Sequence, residues 1–195
     1  MVETAKPPLA ICILAGGRSR RMGYDKAGLR LGKQRFLTQI RAASRATGLP
    51  VTVLRRDRVP RCGPLGGVYT ALKMTAVEAV LFLACDMPLI TTAVIKRVIK
   101  EFGRGRTDLF VRFDDQVGFP FVIARRSLPV VEAQLARQVR SVQSLAKTLD
   151  ARILQAPASW RIPLTNANTP RELETVRRLW KAKSPVRDRR RSPRP

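Results

Sequence analysis

The sequence predicts an α/β fold in which helices cover both faces of a mostly parallel sheet. Strand-like and helix-like segments alternate along the chain, which is the pattern of strands joined by crossover helices. Two strand-like segments, residues 9–15 and 80–85, are apolar at every position, as expected of central parallel strands buried on both faces. The 195 residues, of which 45% are hydrophobic, suffice for one domain with a sizeable core.

Further strands and helices follow in alternation with these two segments. The predicted strands comprise residues 51–54, 109–113, 119–124 and 152–154. The predicted helices comprise residues 36–47, a helix of which residues 68–74 are the first part, a helix that begins at Thr91 or Thr92, and residues 142–149. In the third of these helices, apolar residues recur with the helical period as far as Phe102. Residues 114–118 interrupt two strands and are interpreted as a hairpin or loop.

The last predicted helix has the best-defined start. Thr169, Pro170 and Glu172 supply an N-cap hydroxyl, a proline at the first helical position and a capping-box glutamate. The predicted domain spans residues 1–182. Residues 183–195 are rich in arginine and proline and have almost nothing apolar to bury, so we expect a disordered basic tail.

Charge and residue counts restrict the classes of function. The chain has 38 Lys and Arg against 14 Asp and Glu, a formal net charge of +24 that favours anionic partners. Because the sequence has no histidine, it excludes His-based triads, His metal sites and imidazole catalysis. The three cysteines lack zinc-site spacing and suit a reducing cytoplasm. No stretch reaches the ~18 apolar residues of a membrane span, so we expect a soluble cytoplasmic protein.

The first strand runs directly into a loop rich in glycine and arginine. Residues 14–26 read Leu-Ala-Gly-Gly-Arg-Ser-Arg-Arg-Met-Gly-Tyr-Asp-Lys. Glycines at the carboxyl end of a parallel strand let backbone N–H groups approach phosphate oxygens. Four cationic side chains of the loop are suited to neutralising a polyphosphate: Arg18, Arg20, Arg21 and Lys26. The alternative is a glycine turn with solvated arginines.

This signature loop resembles that of the nucleotidyltransferases related to molybdenum-cofactor guanylyltransferase. Three more motifs follow in the family's order: Gly-Pro-Leu-Gly-Gly at 63–67, Cys-Asp-Met-Pro at 85–88 and Asn-Ala-Asn-Thr-Pro at 166–170. The resemblance covers residues 9–180. It implies a Rossmann-like three-layer α/β/α fold, Mg²⁺ as cofactor, and transfer of GMP from GTP to the terminal phosphate of molybdopterin with release of pyrophosphate. That phosphate is already ionised at neutral pH, so the absence of a histidine base fits the reaction.

The resemblance assigns roles to residues of the signature loop. Lys26 would contact the phosphates, and with Arg21 it is predicted to stabilise the charge that develops as pyrophosphate leaves. The nucleotide would also contact the backbone of four loop residues: Leu14, Ala15, Gly16 and Gly17. The alternative for Lys26 is a surface lysine after a turn.

Asp86 follows a buried strand, so we expect its carboxylate at the carboxyl edge of the sheet. A carboxylate there suits Mg²⁺, which takes few protein carboxylates and completes its shell with water and substrate phosphates. From the residues alone, a turn or helix-capping aspartate is the alternative. In the family the equivalent aspartate binds the metal, which implies metal, nucleotide and catalytic roles for Asp86.

Asn166 and Asn168 lie just before the capped helix, where Asn168 could simply support the turn. By the resemblance, these two residues and Gly66 lie near the second substrate, molybdopterin. Residues 63–67 precede the helix predicted from Val68, and its N-terminus would favour an anion. The alternative for residues 63–67 is a plain loop with a proline turn.

Selection of the base depends on the segment before residue 63. In the family, an acidic side chain at this place accepts hydrogen bonds from guanine N1–H and N2–H₂, and Asp57 is the only acidic residue there. Asp57 either reads guanine or pairs with its arginine neighbours at positions 55, 56, 58 and 61. The segment is short for the family, which predicts that one strand is missing or rebuilt.

Two alternative functions remain from the sequence. The first is a related nucleotidyltransferase that uses CTP or another phosphorylated acceptor. The second is a nucleic-acid-binding protein that uses the basic tail. The net charge of +24 supports this alternative. Against it, only 6% of residues are aromatic and they do not interleave with basic residues.

Overall fold

The computed structural model describes residues 8–16, 29–59 and 62–183. Its strands are β1 (Leu9–Leu14), β2 (Arg30–Leu31), β3 (Gln34–Arg35), β4 (Val51–Leu54), β5 (Ala79–Ala84), β6 (Leu109–Phe113), β7 (Gln116–Ala124) and β8 (Arg152–Gln155). Its helices are α1 (Phe36–Arg45), α2 (Pro64–Met74), α3 (Thr92–Gly103), α4 (Leu128–Ala136), α5 (Val142–Thr148) and α6 (Pro170–Lys183). Among these helices none is both long and apolar enough to cross a membrane.

Six strands form one sheet in the order β4-β1-β5-β7-β6-β8. β1 runs parallel to β4 and β5, and β8 runs parallel to β6. Only β7 is reversed, and it pairs antiparallel with β5 and β6. The carboxyl ends of the five other strands therefore lie on the same side of the sheet, which we call the carboxyl edge.

Alternate residues of the central strands fill two separate cores. Ile11 and Leu81 pack on one face with side chains of α1 and α3. Cys12 and Phe82 pack on the opposite face with side chains of α2, α4 and α5. Both faces of β1 and β5 are thus covered, which explains why these strands are apolar throughout and confirms the predicted three-layer fold.

A third, smaller core joins α6 to the β2–β3 hairpin. Leu173 and Val176 of α6 pack with Leu31 and other apolar residues of the segment that follows the signature loop. Gly32 forms the hairpin turn with φ 57°, and a Cβ added there would lie 2.5 Å from Cη2 of Trp180. The C-terminal helix therefore packs tightly on the chain that leaves the signature loop.

The predicted start of α6 is confirmed in detail. The Glu172 N–H donates to Oγ1 of Thr169 at 3.2 Å, and Oε2 of Glu172 accepts the N–H of Thr169 at 3.0 Å and that of Asn168 at 2.7 Å. These three bonds form a capping box with one extra donor. The helix continues to Lys183, one residue past the predicted domain boundary, and residues 184–195 lie outside the described residues.

The start of α2 differs from the prediction. The helix begins at Pro64, four residues before Val68, because proline supplies the backbone angle of a first helical position and Gly63 turns the chain into it with φ 59°. Gly66 and Gly67 consequently belong to the first part of a helix and not to a preceding loop.

Other element boundaries differ less from the prediction. β7 begins at Gln116, so Asp114 and Asp115 form the turn of a hairpin between β6 and β7. Thr91, and not Thr92, caps α3 by accepting the Val94 N–H at 3.4 Å. The helix α4 and the β2–β3 hairpin were not predicted. In the described residues between β4 and α2 there is no further strand.

Candidate active site

The end of β1 lies between two segments that carry predicted site residues. Leu14 is in register with Leu54 of β4 and with Ala84 of β5. Past these pairs, the N–H of Ala15 donates to the Leu54 carbonyl oxygen at 2.8 Å, and the N–H of Cys85 donates to the Leu14 carbonyl oxygen at 3.1 Å. The start of the signature loop therefore shares the carboxyl edge with the segments leading to Asp57 and Asp86.

The third and fourth motifs are also neighbours. The N–H of Ala167 donates to the backbone carbonyl of Asp86 at 2.9 Å. Ala167 is fully buried, whereas Asp86 is half-buried. The chain at Asn166 and Asn168 thus runs beside Asp86, and the capping box of α6 fixes where it turns.

Asp57 lies against glycines from two different motifs. A Cβ added to Gly16 would be 3.5 Å from Oδ1 of Asp57, and one added to Gly67 would be 3.3 Å from the same oxygen. A Cβ added to Gly66 would be 3.3 Å from Oδ2. The carboxylate therefore lies over the first part of α2 and next to the signature loop. Because Gly66 and Gly67 have no side chains, the Asp57 carboxylate has room to lie against them.

Among the residues that the structure describes, no arginine forms an ion pair with Asp57. Arg55, Arg56 and Arg58 form no ion pair with it, and no other basic group within the described ranges does so. Arg61 lies outside those ranges. Burial raises the pKa of Asp57 above its ordinary value. The nearby N-terminus of α2 carries partial positive charge, which offsets only part of the cost of burying the ionised carboxylate.

Cys12 lies beneath this region and is buried in the core. Burial, and then the negative charge of Asp57, raise the pKa of the Cys12 thiol to about 12. The group is a neutral thiol at physiological pH and serves as a small apolar side chain.

Residues 57–59 are held on α2 by a residue that the sequence analysis missed. Thr70 Oγ1 accepts the N–H of Arg58 at 2.9 Å and donates to the Gly66 carbonyl at 2.7 Å. A threonine in an apolar helix carries no signal for this role in the sequence. Its partner at Arg58 becomes evident only from the path of the chain.

Three of the predicted site residues, Gly17, Arg21 and Lys26, lie outside the described residues. Their assigned roles stay predictions. The described chain ends at Gly16 before this gap and resumes at Leu29, whose carbonyl accepts the N–H of Phe36 at 2.9 Å.

The carboxyl edge offers few protein ligands for a metal ion. Within the described ranges, no group of three or more His, Cys, Asp or Glu side chains is close enough to hold an ion. Asp86 offers a single half-buried carboxylate. One carboxylate fits a divalent ion that takes its other oxygens from water and substrate phosphates.

Gly16 follows a buried parallel strand and Asp86 follows the neighbouring strand at the same edge of the sheet, an arrangement typical of nucleotide-binding α/β proteins. The chain belongs to the family of the MobA-like NTP transferase domain, whose model matches residues 11–153. It is therefore a nucleotidyltransferase.

Individual relatives agree with this family. The chain is 31% identical over 192 residues to a protein of Opitutus terrae named "Probable molybdenum cofactor guanylyltransferase", covering 87% of this chain and 95% of that protein. The crystal structure of molybdopterin-guanine dinucleotide biosynthesis protein A from Archaeoglobus fulgidus matches with a TM-score of 0.70 at 17% identity, over 90% of this chain and 100% of that one.

The same fold also occurs with another nucleotide. The crystal structure of 2-C-methyl-D-erythritol 4-phosphate cytidylyltransferase from Thermus thermophilus matches with a TM-score of 0.65 at 15% identity, over 88% of this chain and 98% of that one. The fold alone therefore leaves the choice of base open.

Proposed function

We propose that this chain transfers GMP from GTP to the terminal phosphate of molybdopterin, with release of pyrophosphate. The observation that carries the proposal is the carboxylate of Asp57, which lies beside Gly16 and the start of α2 without an arginine partner among the described residues. The name of the Opitutus terrae relative supports the same reaction.

The chemistry of Asp57 favours guanine over the other bases. An ionised carboxylate accepts hydrogen bonds with both oxygens and donates none. Guanine presents two adjacent donors, N1–H and N2–H₂, whereas cytosine and adenine present an acceptor next to their amino group. A half-buried carboxylate would meet that acceptor with repulsion and an unpaired oxygen. The cytidylyltransferase alternative would leave Asp57 without a suitable partner.

The phosphates would lie along the signature loop. We propose that the backbone at Leu14, Ala15, Gly16 and Gly17 binds the nucleotide, and that Lys26 and Arg21 stabilise the charge on the departing pyrophosphate. A terminal phosphate oxygen of molybdopterin attacks the α-phosphorus of GTP, and the bond from that phosphorus to the β-phosphate bridging oxygen breaks. The attacking oxygen is already ionised, so the chain needs no general base.

Asp86 would hold Mg²⁺ together with oxygens of the substrates. When bound, the ion neutralises phosphate charge and orients the groups that react. The location of Asp86 after β5, next to the end of β1, supports this assignment. We propose Asn166 and Asn168 as contacts of molybdopterin, since their segment adjoins Asp86. Gly66, predicted with them, adjoins Asp57, and this contact supports a role beside the nucleobase.

We propose the cytoplasm as the location of the protein, because three cysteines without paired or zinc-site spacing suit a reducing compartment. The net charge of +24 would raise the local concentration of two polyanionic substrates and so increase their rate of encounter.

The test is release of pyrophosphate from GTP, CTP or ATP in the presence of molybdopterin, with and without Mg²⁺. We expect release with GTP that requires both molybdopterin and Mg²⁺. Asp86→Asn and Lys26→Ala should each lower kcat/KM about 100-fold or more, the usual effect of removing one group that stabilises developing charge. Asp150→Asn and Lys96→Ala are matched controls, because both residues are exposed.

Absence of release by the wild-type protein, or full activity of both site variants, would contradict the proposal. Preference for CTP would identify the related cytidylyltransferase reaction instead.

A further inference from the structure

We propose that Thr70 is a positioning residue for selection of the base, because its hydroxyl fixes the segment that carries Asp57. The inference rests on the proposed role of Asp57 in reading guanine. Thr70 itself is 1% exposed and lies in α2 beneath the segment, so it has no access to the nucleotide.

The hydroxyl of Thr70 uses its donor and an acceptor position at once. It donates to the Gly66 carbonyl four residues earlier in the same helix, at 2.7 Å. It accepts the N–H of Arg58, which follows Asp57 in the chain, at 2.9 Å. One buried oxygen therefore links the first part of α2 to the segment that lies over it.

This link is important because the segment lies outside the sheet. β4 ends at Leu54, and no described strand pairs with residues 55–59. The bond from Arg58 to Thr70 therefore anchors backbone that no strand ladder holds. The Val59 carbonyl packs so closely on Gly66 that an added Cβ would lie 2.9 Å from its oxygen.

Loss of the hydroxyl should therefore displace the carboxylate. Valine at position 70 keeps the shape of threonine but leaves the N–H of Arg58, whose bond to Thr70 is half-buried, without its acceptor. An unpaired donor there costs free energy unless the segment moves toward water. The neighbouring carboxylate would move with it. The two oxygens of Asp57 must be aligned with guanine N1–H and N2–H₂ to within about 0.5 Å. Displacement of the segment should therefore reduce selectivity for guanine.

The experiment compares GTP with inosine triphosphate, which lacks the N2 amino group that Asp57 is proposed to bind. We expect Thr70→Val to lower the ratio of kcat/KM for GTP to that for inosine triphosphate about tenfold, equivalent to about 1.4 kcal/mol. Thr70→Ser retains the hydroxyl and should restore the ratio. Thr148→Val is the matched control, since Thr148 makes the same helical bond, to the Ser144 carbonyl at 3.0 Å, on an exposed part of α5.

A double-mutant cycle separates positioning from a general loss of structure. If Thr70 acts through Asp57, Thr70→Val should leave the ratio unchanged in an Asp57→Asn background. An equal loss in both backgrounds would overturn the proposal. Thr70→Ala removes the same hydroxyl with a smaller side chain, and it takes the place of Thr70→Val if that variant does not fold.

The outcomes also separate this inference from the proposed function. A wild-type protein that transfers no GMP refutes the proposed function. A wild-type protein that prefers GTP, loses the preference in Asp57→Asn and keeps it in Thr70→Val refutes only the role of Thr70.

Discussion

Gly66→Ala should not give the protein the stability that alanine normally adds at a helical position. In a helix interior, alanine is normally favoured over glycine by about 1 kcal/mol. Here the added Cβ would lie 2.9 Å from the Val59 carbonyl oxygen, 3.2 Å from Cβ of Cys62 and 3.3 Å from Oδ2 of Asp57. The nearest of these atoms belongs to the backbone, so residues 57–59 must move. Overpacking of this kind costs about 1–3 kcal/mol, enough to cancel or exceed the helical gain.

Gly103→Ala provides the comparison, because Gly103 also lies in a helix and has no heavy atom within 4 Å of the added Cβ. The free energy of unfolding of both variants is measured by urea denaturation. We expect Gly66→Ala to be less stable than Gly103→Ala by about 1–3 kcal/mol. At about 2–4 °C per kcal/mol, the Tm values would differ by roughly 2–12 °C.

Nucleotide binding provides the second measurement. Since residues 57–59 carry the proposed guanine reader, Gly66→Ala should also reduce the rise in Tm that GTP produces, whereas Gly103→Ala should not. If Gly66→Ala proves as stable as Gly103→Ala and responds equally to GTP, then residues 57–59 do not pack on α2 as described.

Two further predictions concern single contacts. Burial raises the pKa of Asp57, so the carboxyl favours the folded state when protonated and loses that contribution as pH rises through its folded pKa. Asp57→Asn should therefore unfold at higher urea concentration than wild type at pH 7, and this difference in stability should shrink toward pH 4. A difference in stability that grows toward acid pH would contradict the reasoning. Gly32→Ala adds a Cβ 2.5 Å from Trp180 at a φ of 57°. The variant should lower the free energy of unfolding, measured in urea, by at least about 2 kcal/mol. In a Trp180→Leu background the loss should fall to about 1–2 kcal/mol, which is the backbone strain alone. Gly48→Ala, with φ 84° and no neighbour within 4 Å, should show the strain alone, and an equal cost of Gly32→Ala in both backgrounds would exclude the contact.

Local patterns account for the elements that were predicted well. The capping box at Thr169 and Glu172 involves residues three positions apart, so its chemistry is visible in a short stretch of chain. The strands β1 and β5 are apolar throughout because each is covered on both faces. By contrast, α4 is apolar around most of its surface and shows no helical period, which is why the sequence analysis missed it.

The direction of β7 depends on a longer-range arrangement. Asp114 and Asp115 are only a turn signal in the sequence, and a turn is compatible with several continuations of the chain. In the structure they close a hairpin, which makes β7 the one reversed strand of the sheet. The sequence predicted a mostly parallel sheet correctly, without indicating where the parallel order is interrupted.

The sequence alone was sufficient for the alternation of strands and helices, the order of the four motifs and the edge of the sheet at which the signature loop and Asp86 should meet. These features depend on residue type and spacing along the chain, and parallel strands bring their carboxyl ends together whatever their side chains. The contact of Asp57 with Gly16, Gly66 and Gly67, and the bond from Arg58 to Thr70, depend on how one irregular segment packs on α2. Such packing is decided by shape and by hydrogen bonds between separate segments of the chain, and these contacts exist only in the folded protein.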